Sequence, residues 1–111
     1  MTRRAKVIAT ILDDPARPAC EARCGLDLSS EEVRRSTAEA LRGRFGGQVE
    51  LQYTALDASR AAVPPEIARR LHAGDLVLPL LLVNGKPRIS GYFDLHALQE
   101  VIQAEIEMAA P

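Results

Sequence analysis

Leu78-Pro79-Leu80-Leu81-Leu82-Val83-Asn84-Gly85-Lys86-Pro87-Arg88-Ile89-Ser90 is the stretch whose reading decides the fold. Its four consecutive apolar residues, Leu80 to Val83, have the pattern of a strand buried on both faces. Asn84-Gly85 follows directly, and both residue types tolerate positive φ, so the spacing predicts a two-residue type I′ hairpin. Lys86 to Ser90 then returns as the partner strand. Pro87 has no amide hydrogen to give to a ladder, which favours an edge position. Near the start of the chain Val7-Ile8-Ala9-Thr10-Ile11-Leu12 is a second nearly continuous apolar run of the same buried kind.

Between these two anchors the pattern changes several times. Asp13 to Leu28 carries two prolines, two cysteines and Gly25 without a period, and reads as a long loop. Ser29-Ser30-Glu31-Glu32 resembles a capping box, with the Ser29 hydroxyl and the Glu32 carboxylate satisfying backbone donors. Val33, Thr37, Ala40, Leu41 and Phe45 then share one helical face, which Gly46-Gly47 ends. Val49, Leu51 and Tyr53 alternate with polar residues, predicting a strand to about Leu56. Pro64-Pro65 opens a short helix with Ile67, Ala68 and Leu71 inward and Gly74 at its end. After the hairpin, Asp94 is placed to cap a last helix carrying Leu95, Leu98, Ile102 and Ile106 on one side.

The predicted order is therefore β-α-β-α-β-β-α. The βα units favour parallel pairing of the first two strands, and the Asn-Gly hairpin makes the last two antiparallel. The expected fold is a single α/β domain over residues 1–111, a mixed four-stranded sheet with helices on both faces. With 111 residues, 47% hydrophobic and 26% charged, the chain has the composition of a globular protein, well away from disorder. The absence of Trp and the two Phe and two Tyr leave the core to Leu, Val, Ile and Ala.

A net charge of -1 gives no general attraction to nucleic acid or anionic membranes. Arg3, Arg4 and Lys6 precede an apolar run that stops at Asp13, too short for a signal-peptide core. No apolar segment approaches the roughly 20 residues that cross a bilayer. The cytoplasm is the expected compartment, and there paired cysteines are more often redox-active, catalytic or metal-binding than structural.

Cys20 and Cys24, separated by Glu21-Ala22-Arg23, are the candidate site. They follow the first strand, on the carboxyl side of the sheet where α/β folds place ligands. A disulfide needs Cα atoms about 5.5 to 6 Å apart, which a turn or one helical step approaches, so the spacing permits a bond. Arg17 and Arg23 offer positive charge to a thiolate, while Glu21 opposes it. His72 and His96 read as solvated helix residues, and with the two cysteines they match no zinc spacing. There is no nucleophile elbow, phosphate loop or dinucleotide fingerprint. Arg34-Arg35 and Arg69-Arg70 read as exposed helix faces balanced by acidic residues, so nucleic acid is not an expected partner.

The element order, the dithiol after the first strand and Leu78-Pro79 before the third together resemble the thioredoxin-like superfamily. Asp14 to Gly25, DPARPACEARCG, resembles the metalloid-binding loop of the ArsD arsenic metallochaperone and repressor family, with Cys24-Gly25 at its last cysteine and glycine. Leu78 to Leu98, LPLLLVNGKPRISGYFDLHAL, is similar to that family's cis-proline strand, hairpin and final helix. Pro18 and Ala19 stand where that family has an adjacent cysteine pair. Tyr53-Thr54 with Asp57, Asp75-Leu76 before Pro79, and Gly91-Tyr92 resemble the YuzD-like small proteins regarded as disulfide oxidoreductases, whose loop carries one residue fewer between its cysteines.

These resemblances imply a cis Pro79 beside the dithiol, and Leu78 and Pro79 presenting backbone to an extended partner segment. The function they imply is thiol-disulfide exchange without a cofactor. Cys20 attacks and Cys24 resolves, and the partners are protein thiols or disulfides. The alternative is capture of arsenic(III) or another soft metal ion by the same two thiolates. A third reading is a non-catalytic interaction domain.

Overall fold

The computed structural model describes residues 7–14, 28, 30–56 and 63–109. Its elements are β1 (Val7–Asp13), α1 (Glu31–Phe45), β2 (Val49–Ala55), α2 (Pro65–Ala73), β3 (Leu80–Val83), β4 (Lys86–Ser90) and α3 (Leu95–Ala109), with a 3-10 turn at Gly46–Gln48 between α1 and β2. They form an α/β arrangement in the expected order.

The four strands make one mixed sheet in the order β2-β1-β3-β4. β1 and β2 are parallel, in register from Val7 opposite Val49 to Asp13 opposite Ala55. β3 returns antiparallel to β1, with Leu12 opposite Leu80 and Ala9 opposite Val83. β4 is antiparallel to β3 and lies at the edge, where the missing N–H of Pro87 breaks no inner ladder. The pairing steps from Leu81–Ile89 to Leu82–Pro87, leaving Arg88 as the extra residue of a bulge.

Alternation along the two central strands divides the core between the faces. Val7, Ala9 and Ile11 of β1 and Leu81 and Val83 of β3 pack with Leu41 and Phe45 of α1 and Leu98 and Ile102 of α3. Leu12, Leu80 and Leu82 point the other way and meet Ile67 of α2 with Leu56, Val63 and Leu76. Two helices thus cover one face and one helix the other. This explains why β1 and β3 read as continuous apolar runs, whereas Val49, Leu51 and Tyr53 of β2 alternate toward the two-helix face.

The turn after β3 is built as its sequence predicts, with positive φ of 51° at Asn84 and 84° at Gly85. Asn84 also extends the sheet. Its N–H donates to the Ile8 carbonyl at 2.9 Å, and its side-chain Oδ1 accepts from Ile8 N–H at 2.9 Å. Asp94 caps α3 by accepting from Ala97 N–H at 2.8 Å.

Two local expectations are corrected. The residue that caps α1 is Ser30, whose hydroxyl accepts from Val33 N–H at 3.4 Å, so Glu32 falls one position short of the reciprocal bond of a capping box. β1 runs one residue further than the apolar pattern, to Asp13. Among the described residues no helix is long and apolar enough to cross a membrane.

Candidate functional site

The carboxyl ends of β1 and β2 and the amino end of β3 meet at one end of the sheet. Leu80 pairs with Leu12, so Pro79 stands beside the end of β1. The Leu78–Pro79 peptide bond is cis, the geometry the family resemblance implies. Pro79 is buried and Leu78 half-buried. Among the described residues the Leu78 backbone makes no hydrogen bond.

The segment is held from the β4 side. Gly91 N–H donates to the Pro79 carbonyl at 2.8 Å, and Val77 N–H donates to Ser90 Oγ at 2.7 Å. The Ser90 hydroxyl returns a longer bond of 3.4 Å to the Val77 carbonyl. A side chain thus replaces strand pairing where the ladder runs out. Close in sequence to this held segment are two exposed large apolar residues, Val77 at 50% and Tyr92, next to Gly91, at 38% exposure.

On the β2 side the site rests on Asp13, a carboxylate only 8% exposed. Its Oδ2 accepts from the Tyr53 hydroxyl at 2.9 Å, its Oδ1 from Asp14 N–H at 2.9 Å, and its carbonyl from Leu56 N–H at 2.7 Å. The Arg34 guanidinium lies 4.4 Å from the centre of the Tyr53 ring and donates to the Leu28 carbonyl at 2.8 Å. One network therefore ties together Asp13 and Asp14, where the chain leaves β1, and Leu28, where it returns to α1.

Cys20, Cys24, Arg17 and Arg23 lie outside the described residues, between those two anchors. Cys20 is six residues beyond Asp14 and Cys24 four before Leu28, which limits their reach from the anchors to about 20 and 14 Å for a fully extended chain. The structure thus brings Leu78 and Pro79 to the end of β1, where the cysteine segment departs. Asp13, Tyr53, Arg34 and Ser90 are the site residues the sequence did not single out. A half-buried Tyr needs a partner for its hydroxyl, and an acidic residue ending a buried strand needs a donor. That complementary need was the available signal.

Arg34 therefore does more than the exposed face predicted for it, whereas Arg35 is exposed and reaches Glu31 at 3.7 Å. Both histidines are exposed, His96 donating from Nε2 to Glu100 at 2.8 Å. Among the described residues no group of three or more His, Cys, Asp or Glu is placed to hold a metal ion.

No family model and no curated protein matches this chain. Among solved structures it is similar to a Staphylococcus aureus protein of unknown function, SA0789, at 10% identity and a TM-score of 0.58. The match covers 91% of this chain and 92% of that one, a likeness of fold over nearly the whole length of both.

Proposed function

We propose that this chain is a small thioredoxin-like dithiol protein that exchanges disulfides with protein partners through Cys20 and Cys24. The observation that carries the reading is the Leu12–Leu80 pairing, which sets Leu78-Pro79 beside the end of β1 from which the cysteine segment departs. The exposed Val77, two residues before that proline, and the exposed Tyr92, next to the Gly91 that bonds its carbonyl, support contact with an extended, partly apolar partner segment.

In the proposed reaction the Cys20 thiolate attacks a partner disulfide, forming a mixed disulfide and releasing one partner thiolate. The Cys24 thiolate then attacks the Cys20 sulfur and releases the second. The partner gains two electrons and the chain is left with a Cys20–Cys24 bond, which an external thiol reduces again. Arg17 and Arg23 favour the thiolate forms by their charge.

The test is a redox titration in glutathione buffers read by alkylation and intact mass. A reversible internal disulfide with a potential between roughly -270 and -120 mV is expected. Cys24→Ser should accumulate a trapped mixed disulfide and Cys20→Ser should abolish exchange. Two thiols that never pair, or normal turnover in either variant, would refute the exchange mechanism. In that case retained arsenic(III) binding by the wild type, lost in both variants, would identify the soft-ion reading instead.

A further inference from the structure

Ser90 ends β4 opposite Leu80 of β3. Its neighbour Ile89 packs against the two-helix face, so the Ser90 side chain stands on the face that α2 covers. Any polar residue would suit an exposed position on an edge strand, yet this side chain is bonded to backbone 13 residues earlier in the chain. Its hydroxyl accepts from Val77 N–H at 2.7 Å and donates to the Val77 carbonyl at 3.4 Å. The first bond is short and carries the tie, and the second is longer and weaker. A hydroxyl can accept and donate at one atom, which a purely acidic or basic side chain cannot.

The consequence falls one residue further on. The Val77–Leu78 peptide is trans and planar, so its carbonyl and its N–H point in opposite directions. Drawing the Val77 carbonyl to Ser90 therefore turns the Leu78 N–H away from β4. On its other side β3 has β1 as its neighbour, and the cysteine segment departs from the end of β1. Pro79 has no N–H, and its carbonyl already accepts from Gly91. Leu78 thus carries the backbone donor left for a ligand at this end of β3, and among the described residues its backbone makes no hydrogen bond.

We infer that Ser90 is a positioning residue for disulfide exchange, holding Val77-Leu78 so that the Leu78 N–H meets a carbonyl of the partner, and that this makes extended polypeptide disulfides the substrate class. The inference rests on the exchange reading given above. A strand-like partner segment supplies both the carbonyl and an apolar side chain for the half-exposed Val77. A small disulfide without a peptide backbone supplies neither. Ser90 acts through the Val77 and Leu78 backbone, so it alters how a partner is held and leaves the chemistry of the dithiol alone.

The test mixes the reduced full chain with an excess of one of two probes and follows oxidation of Cys20 and Cys24 by alkylation and mass. One probe is a disulfide-linked pair of unstructured peptides with leucine beside each cysteine, and the other is bis(2-hydroxyethyl) disulfide. Ser90→Ala should slow reaction with the peptide disulfide about three- to tenfold, the worth of one hydrogen bond, and leave both the small disulfide and the redox potential of the pair unchanged. Ser90→Thr keeps the hydroxyl and should restore the peptide rate, and Val77 N–H should exchange with solvent faster in Ser90→Ala only. A wild-type chain oxidised by neither probe would refute the exchange reading and this inference with it. A wild-type chain oxidised by both, with Ser90→Ala equally fast on the peptide, would keep the exchange reading and overturn the inference. Equal slowing with both probes, or a loss that Ser90→Thr does not restore, would overturn it as well.

Discussion

Tyr53→Phe isolates the bond on which the β2 side of the site depends. The change removes the hydroxyl that donates to Asp13 Oδ2 at 2.9 Å and keeps the ring on which Arg34 lies at 4.4 Å. Asp13 is 8% exposed, so water cannot freely replace the lost donor. A hydrogen bond to a charged acceptor in such a place contributes about 1.5 to 3 kcal/mol. At roughly 4 °C per kcal/mol for a domain of this size, the melting temperature should fall by about 6 to 12 °C. Urea unfolding should show the same loss as a lower midpoint with an unchanged slope. Asp13→Ala should destabilise too, and adding Tyr53→Phe to it should cost much less than the same change in the wild type, because the pair is already broken. A loss below about 0.5 kcal/mol for Tyr53→Phe, the range of an inconsequential surface change, would refute the assignment of this bond as a support of the site.

Two further predictions concern the scaffold. Asn84→Ala places an alanine at a φ of 51° and removes the Oδ1 acceptor of Ile8 N–H, so it should lower the unfolding free energy measured in urea by about 1 to 3 kcal/mol, whereas Asn84→Gly should recover the part due to backbone strain. Ile102→Ala empties a fully buried position between α3 and the sheet and should cost about 2 to 5 kcal/mol by the same measurement, with a result under 1 kcal/mol contradicting the packing described.

The scaffold was legible because its signals are local. Leu80 to Val83, Asn84-Gly85 and Pro87 each have one dominant structural use, and together they give a central strand, its turn and an edge strand. The helix faces followed from period alone, since Leu41, Phe45, Leu98 and Ile102 recur at helical spacing. The start of α1 was less clear because Ser29 and Ser30 are both good caps and differ only by one step in register. The antiparallel return of β3 beside β1 could not be read from either strand, as both are simply apolar. The supports of the site were hidden for a different reason. Asp13 and Tyr53 are 40 residues apart in the chain and meet only when β1 and β2 pair in register. Ser90 likewise finds Val77 only after the hairpin has closed.

The unequal covering of the two faces sets where the molecule can loosen first. Among the described residues the two-helix face is held by an eleven-residue buried cluster and the one-helix face by seven residues. The smaller cluster joins the nine-residue α2 to the strand that begins just after Pro79. A helix of that length has little stability of its own and depends on those few contacts. Amide exchange around α2 and Val77 should therefore proceed through partial openings that leave α1, α3 and the sheet between them intact, giving the backbone beside Leu78 a local freedom that costs less than unfolding the domain.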